Sequence, residues 1–251
     1  MSPIKLIGFD LDDCLFDSTG LSERARINGL NAMINLGLKI DKEKAKQILR
    51  EIVKEYGSNF SKHYNIFIRR LNQVDENIEY VSYNNRYKYI AAAVMAYHEE
   101  KVNSIKLYDD VKNNLRRIKE LSIKTAIITD GIPIKQYEKI LRLKIESSID
   151  LVVISDEIGI KKPNPELFNY CLKKFGVKGQ ETIYVGDRIE KDMIPANANK
   201  IHSVYLHRGG KYDNYKTNFN FQKDFKPNYE ISSLDELFDV IDQINNKEIL
   251  E

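Results

Sequence analysis

Two carboxylates near the start of the chain are spaced so that they could act together on one small group. Asp10 and Asp12 stand two residues apart, directly after the apolar run 4–9. Residues with this spacing on an extended chain share a face, with Cα atoms roughly 6–7 Å apart. The pair could therefore flank one small reacting group. An acidic turn that caps the next element explains the two residues equally well when they are taken alone.

Groups that suit an anion follow two later apolar runs. Thr129 ends the run 125–129, and Asp130 and Gly131 follow it. A hydroxyl and free backbone N–H groups at a strand end form an anion cradle, and a glycine there allows a sharp bend. Lys162 precedes a proline, which biases it toward an extended conformation and can hold its amine in place. A plain turn and a basic surface loop are the alternatives, and we assign neighbouring Lys161 to the surface.

Further acids follow a fourth apolar run. Asp187 comes after the run 182–185 and Gly186, and Asp192 lies a little further on. Taken singly, both acids are explained as polar loop residues. A hard cation such as Mg²⁺ prefers a few carboxylate oxygens and keeps several waters, so Asp10, Asp187 and one backbone carbonyl would suit it. Ligands of open α/β sheets gather beyond the carboxyl ends of strands, where all these features fall.

The elements that must position these residues are short strands that alternate with amphipathic helices. This alternation predicts an α/β fold with a Rossmann-like parallel sheet and right-handed crossovers. The expected strands occupy the apolar runs 4–9, 125–129, 151–154, 182–185 and 203–206. Near the end of the chain, Ser233 and Glu236 form a capping box that starts a helix through about Ile244, after a long surface loop at 209–228.

The segment from about Leu21 to Val102 breaks this alternation. Its apolar residues recur at helical spacing, and it contains no strand-like run of comparable strength. A helical insertion after the first strand is the simplest interpretation. It predicts a core of residues 1–18 and 104–251 with a small all-helical domain at 19–103. The alternative is that these helices merely cover the sheet.

Composition indicates an ordinary globular chain. Of the 251 residues, 42% are hydrophobic and 30% are charged, and the net charge is +2, so neither nucleic acid nor a membrane surface is expected as a partner. The two cysteines, Cys14 and Cys171, are too distant to suggest a disulfide framework or a zinc site. No targeting or membrane-spanning segment is evident, so we expect a cytoplasmic protein.

Taken together, the motifs resemble those of the haloacid dehalogenase superfamily of phosphohydrolases. The first motif appears as Asp10 to Asp17, the second as Thr129, the third as Lys162, and the fourth as Gly186 and Asp187 with Asp192. All four occur in the family's order, and the resemblance covers nearly the whole chain. It implies a core of the superfamily's fold with a helical C1 cap domain, and a Mg²⁺-dependent phosphatase.

The resemblance also assigns roles to the motif residues. Asp10 would be the nucleophile that forms an aspartyl-phosphate, and Lys162 would offset the negative charge shared by the nucleophile and the phosphate. The metal ligands would be Asp10, Asp187 and the backbone carbonyl of Asp12. Two further roles are implied: Asp192 would orient metal-bound waters, while Thr129 and the backbone around Asp130 would bind the phosphate.

Asp12 would be the general acid and base, which argues against a dehalogenase, because a departing halide needs no proton. A small phosphorylated metabolite is the expected substrate, with glyceraldehyde 3-phosphate as the specific guess. A phosphomutase of the same superfamily and a catalytically silent phosphate-binding regulatory module are the alternatives. The oligomeric state stays open, with a homodimer as one option.

Overall fold

The sheet that carries the site is parallel throughout. The computed structural model describes residues 4–74, 81, 85–210, 213 and 226–247. Within these residues, six strands lie in the order β3-β2-β1-β4-β5-β6. In chain order, from β1 to β6, they are Leu6–Phe9, Lys124–Thr129, Leu151–Ile154, Thr182–Gly186, His202–Leu206 and Tyr229–Ile231. The two central strands, β1 and β4, are paired with Phe9 opposite Val185, so their carboxyl ends meet at one edge.

Alternate residues of the strands are buried on opposite faces of the sheet, which explains the near-continuous apolar runs. On one face, Leu6, Ile128 and Tyr184 join a core with residues of the helices that follow β3 and β4. The intervening residues Ile7 and Phe9 are also fully buried. Burial on both faces fixes the register of the strands, and hence the depth of each residue at the carboxyl edge.

Two of the helices that accompany the sheet follow capping residues expected from the sequence. The helices are α5 (Val111–Glu120), α6 (Pro133–Leu143), α7 (Ser155–Ile158), α8 (Pro165–Phe175), α9 (Ile194–Ala198) and α10 (Leu237–Lys247). Asn164 caps α8 by accepting from Glu166 N, with Pro165 in the first turn. The predicted capping box of Ser233 and Glu236 is present, and a 3₁₀ turn there leads into α10.

A second compact unit spans Thr19–Ile105, and the first comprises Met1–Ser18 with Lys106–Glu251. The second unit contains α2 (Lys42–Tyr56), α3 (His63–Val74), α4 (Arg86–Asn103) and nearly all of α1 (Ser18–Asn35). These helices share a hydrophobic core that includes Leu30, Ile52 and Phe67. The sequence placed a helical domain at 19–103; that this unit works as a cap stays a prediction.

The parallel α/β fold predicted from the sequence is confirmed, whereas the short edge strand β6 was missed. The expected loop at 209–228 falls largely outside the described residues. Among the residues described, no helix is long and apolar enough to cross a bilayer.

Candidate active site

Asp10 stands where β1 leaves the sheet. Its backbone N–H donates to the carbonyl of Val185 at 2.9 Å, so it still follows the path of the strand. The chain then turns back on itself, because Asp13 adopts a positive φ of 61° and its N–H donates to the carbonyl of Phe16 at 3.0 Å. This turn brings Asp12 into a backbone bridge with Phe16. The central strand and the turn therefore place the two carboxylates predicted as a pair.

Lys162 lies at the centre of the site with 3% of its surface exposed. Its Nζ atom lies 2.6 Å from Asp10 Oδ1, 2.7 Å from Asp192 Oδ1 and 3.1 Å from the Tyr184 hydroxyl oxygen. Burial by itself lowers the pKa of the ammonium, but the carboxylates of Asp10 and Asp192 raise it well above its usual value. Lys162 is therefore a fixed positive charge that touches Asp10.

Three buried carboxylates converge beside this ammonium. Asp10, Asp187 and Asp192 each offer an oxygen, and these oxygens all lie within 4.8 Å of one another. Burial raises the pKa of Asp10 to about 7 although Lys162 lowers it, and burial with the charges of Asp192 and Asp10 raises that of Asp187 to about 9. Such a cluster is costly without a cation, because like charges and low solvation both oppose ionisation.

The hydrogen bonds of the three acids distinguish their roles. The Oδ1 atom of Asp187 is buried and has no hydrogen-bond partner among the described residues. Asp192, by contrast, has both oxygens engaged, Oδ1 with Lys162 at 2.7 Å and Oδ2 with the N–H of Arg188 at 3.1 Å. The unpartnered oxygen of Asp187 and the oxygens of Asp10 fit a hard cation.

Gly186 makes the approach of Asp192 possible. A Cβ atom built on Gly186 would lie 2.5 Å from Cγ of Asp192, which is closer than real Cβ contacts allow. The glycine of the fourth motif therefore lets the acid reach Lys162. Tyr184, two residues earlier on the same strand face, donates its hydroxyl proton toward the carbonyl of Ile128 at 3.0 Å.

The side chain of Asp130 fixes the backbone of Lys162. Its Oδ1 atom accepts from the N–H of Lys162 at 3.0 Å, and its Oδ2 atom lies 3.4 Å from Nζ of Lys191. Lys191 donates in turn to the carbonyl of Lys162 at 2.5 Å. The sequence predicted a phosphate-binding role for the backbone around Asp130, and the carboxylate adds a structural role that motif reasoning missed.

Two polar residues of α6 connect Thr129 with Asp12. Gln136 Nε2 lies 3.0 Å from Thr129 Oγ1 and 3.4 Å from Asp12 Oδ2. Lys139 Nζ lies 2.8 and 2.7 Å from the two oxygens of Asp12. Burial raises the pKa of Asp12, but the charge and hydrogen bonds of Lys139, together with hydrogen bonds from Ser18 and Gln136, hold that pKa below its usual value. Asp12 is therefore a carboxylate in the free protein.

The predicted site residues thus form one constellation in two adjoining parts. Asp10, Lys162, Asp187 and Asp192 are in direct proximity, while Asp12 and Thr129 are joined through Gln136. The Lys161 side chain is 70% exposed and pairs with Asp156 at 3.1 Å, so it takes no part. The functional side chains that sequence reasoning missed are Tyr184, Gln136, Lys139 and Lys191. Their only sequence signal was helical or alternating spacing from a motif residue.

Comparison with known proteins identifies the family of this chain. The family model described as a haloacid dehalogenase-like hydrolase matches residues 4–199. The chain belongs to this family. It is 40% identical to the glyceraldehyde 3-phosphate phosphatase of Methanopyrus kandleri over 96% of this chain and 98% of that protein. The protein of the same name from Pyrococcus furiosus is 39% identical, with coverage of 99% and 97%.

Solved structures show the same fold at low identity. A phosphatase of this family from Thermococcus onnurineus superposes with a TM-score of 0.61 at 21% identity, covering 95% of this chain and 98% of that one. A family hydrolase from Deinococcus radiodurans gives 0.66 at 14% identity, with 97% of each chain covered. The predicted family and enzyme class, a phosphoric monoester hydrolase, are confirmed by the two glyceraldehyde 3-phosphate phosphatases and the family model.

Proposed function

We propose that this chain is a Mg²⁺-dependent phosphatase that hydrolyses glyceraldehyde 3-phosphate through a phosphorylated Asp10. The observation that carries the mechanism is the buried ammonium of Lys162 at 2.6 Å from Asp10, beside the unpartnered oxygen of Asp187. The substrate is supported by relatives of that name, which match the chain over nearly its full length at 38–40% identity.

Asp10 is the nucleophile. One carboxylate oxygen attacks phosphorus, the bond between phosphorus and the ester oxygen breaks, and an aspartyl-phosphate forms. Phosphoryl transfer depends mainly on positioning and charge neutralisation, and Lys162 supplies both. Its ammonium orients Asp10 through the 2.6 Å contact and offsets the charge that the nucleophile and the phosphate share.

The carboxylates of Asp10 and Asp187 and the backbone carbonyl of Asp12 would hold Mg²⁺. When bound, the cation neutralises charge on the phosphate and on the acids around it. Asp192, whose oxygens are already engaged, supports this set through Lys162 and Arg188 rather than as a direct ligand. Thr129 and the backbone around Asp130 bind the phosphate oxygens.

Asp12 moves the proton in both half-reactions. Because the pKa of Asp12 lies below its usual value, Asp12 is ionised in the free protein and must first take up a proton. A phosphate monoester carries one when it binds as the monoanion, since its second pKa is about 6. Asp12 passes that proton to the leaving oxygen and later accepts one from the water that attacks the aspartyl-phosphate.

The phosphomutase alternative is not favoured, because the relatives with high identity and near-complete coverage are phosphatases. A silent phosphate-binding module would be expected to lack part of the constellation of Asp10, Asp12, Lys162 and Asp187, all of which this chain retains.

Release of inorganic phosphate from a panel of esters tests the proposal. The panel contains glyceraldehyde 3-phosphate, phosphoserine, ribulose 1,5-bisphosphate and a hexose phosphate, each assayed with Mg²⁺ and with EDTA. We expect the highest kcat/KM for glyceraldehyde 3-phosphate, dependence on Mg²⁺, and no activity in Asp10→Asn. Hydrolysis of another ester alone would overturn the proposed substrate assignment. Isomerisation of the hexose phosphate without phosphate release would overturn the proposed reaction type.

A further inference from the structure

Helix α6 sends two polar side chains toward the acid–base residue. The helix begins at Pro133, soon after the second motif, and Gln136 and Lys139 lie one turn apart on it. Residues three apart share one face of a helix, so both side chains extend in the same direction. Gln136 is 2% exposed, although amide side chains usually face solvent. The burial of this amide at 3.0 Å from Thr129 Oγ1 indicates that Gln136 serves the site.

Lys139 engages Asp12 symmetrically. Its Nζ atom lies 2.8 Å from Oδ1 and 2.7 Å from Oδ2, so one ammonium spans both oxygens of the carboxylate. Charge-assisted hydrogen bonds of this length are stronger than neutral ones. The ammonium also lies 6.0 Å from the ring centroid of Phe16, the residue bridged to the backbone of Asp12. Lys139 thus holds the carboxylate of Asp12, while the bridge to Phe16 holds its backbone.

Gln136 ties this ion pair to the second motif. Its Nε2 group lies 3.0 Å from Thr129 Oγ1, 2.5 Å from the carbonyl oxygen of Asp130 and 3.4 Å from Asp12 Oδ2. Gly131 leaves room for it, because a Cβ atom there would lie 3.0 Å from the same nitrogen. The amide therefore couples the strand end that carries Thr129 to the turn that carries Asp12.

We propose that Lys139, supported by Gln136, is a positioning residue that holds the Asp12 carboxylate for proton transfer to the leaving oxygen. The inference rests on the function proposed above. The side chains of Lys139 and Asp12 are 24% and 31% exposed, and an ion pair this accessible adds at most about 1 kcal/mol to stability. Orientation has a larger effect, since a misplacement of about 1 Å can reduce a rate about 10²-fold.

The test compares two substrates that differ in their need for a proton. Glyceraldehyde 3-phosphate loses an alkoxide, which must be protonated, whereas p-nitrophenyl phosphate loses a stable nitrophenolate. For both, kcat/KM reports the step in which Asp10 is phosphorylated. Lys139→Met removes the ammonium and keeps the length of the side chain. The matched control is Lys135→Met, at an exposed position one turn earlier on the same helix.

We expect Lys139→Met to lower kcat/KM for glyceraldehyde 3-phosphate about 10–100-fold, and for p-nitrophenyl phosphate less than about 3-fold. Lys139→Arg should restore part of the loss, because a guanidinium also spans a carboxylate. Equal losses on both substrates, or behaviour like Lys135→Met, would overturn the inference. The unmodified protein distinguishes failure of this inference from failure of the proposed function: if it hydrolyses neither ester with Mg²⁺, the proposed function itself fails.

Discussion

Removing the charge of Lys162 is the substitution that bears most directly on the electrostatics of the site. Lys162→Met keeps an unbranched side chain in a position that is 3% exposed but leaves Asp10, Asp187 and Asp192 without their shared ammonium. Two charge-assisted hydrogen bonds, of 2.6 and 2.7 Å, are lost. Each contributes about 1.5–3 kcal/mol, so the bond loss alone is about 3–6 kcal/mol.

Part of this loss appears in the rate and part in stability. Loss of one electrostatic stabiliser of a transition state lowers kcat by about 10²–10³, and a buried charge left unpaired destabilises the fold by about 3–5 kcal/mol. We expect kcat to fall at least about 10²-fold, and we expect a clear drop in Tm in the absence of Mg²⁺. Steady-state assays on p-nitrophenyl phosphate at saturating Mg²⁺, with thermal unfolding in parallel, measure both effects.

Lys161→Met is the control for this experiment. The ammonium of Lys161 pairs with Asp156 at 3.1 Å on a side chain that is 70% exposed, and such a pair contributes about 0–1 kcal/mol to stability. We expect its activity and Tm to stay close to those of the unmodified protein. If both lysine variants fold and lose activity equally, Lys162 is not the charge that stabilises phosphoryl transfer, and the reasoning is refuted.

Two more substitutions separate other parts of the account. Asp12→Asn should give a burst of nitrophenol of about one equivalent per site from p-nitrophenyl phosphate and then slow turnover, because dephosphorylation lacks its base. Stopped-flow absorbance measures the burst, and its absence at unchanged Mg²⁺ affinity would contradict the role of Asp12 as that base. Asp187→Asn should raise the Tm of the metal-free protein at pH 8 and abolish stabilisation by Mg²⁺. Burial and the charges of Asp192 and Asp10 raise the pKa of Asp187 in the folded protein from its usual value of 3.8 to about 9, so its ionisation opposes folding increasingly as pH rises between these values. A lower Tm for metal-free Asp187→Asn at pH 8 would show that this carboxylate does not strain the fold.

The sequence predicted the residues whose positions follow from where a strand ends. Asp10, Thr129 and Asp187 each end or follow a buried apolar run, and parallel pairing brings such positions to one edge. Lys162 does not directly follow a strand, and it was predicted as a site residue because it precedes a proline in the third motif of the family. The short strand β6, Tyr229–Ile231, has three residues and too little periodicity to be distinguished from a loop.

Other members of the site depend on packing that local sequence does not encode. Lys139 and Gln136 lie on a helix, and the direction of their shared face is set by how α6 packs in the folded protein. The contact of Asp192 with Lys162 depends on the absence of a side chain at Gly186. This dependence follows from how closely Asp192 approaches Gly186 in the folded protein. The backbone around Asp130 was predicted to bind the phosphate, whereas the hydrogen bond that its carboxylate accepts from the N–H of Lys162 has no local sequence signal.

Trapping the phosphoryl group on the protein tests the central claim most directly. The protein is mixed with glyceraldehyde 3-phosphate and Mg²⁺, quenched in acid within one turnover, digested and analysed by mass spectrometry. We expect one phosphoryl group on the peptide that contains Asp10, located at that residue, and none in Asp10→Asn. Hydrolysis without any phosphorylated peptide, or with the phosphoryl group on another residue, would contradict the assignment of Asp10 as nucleophile.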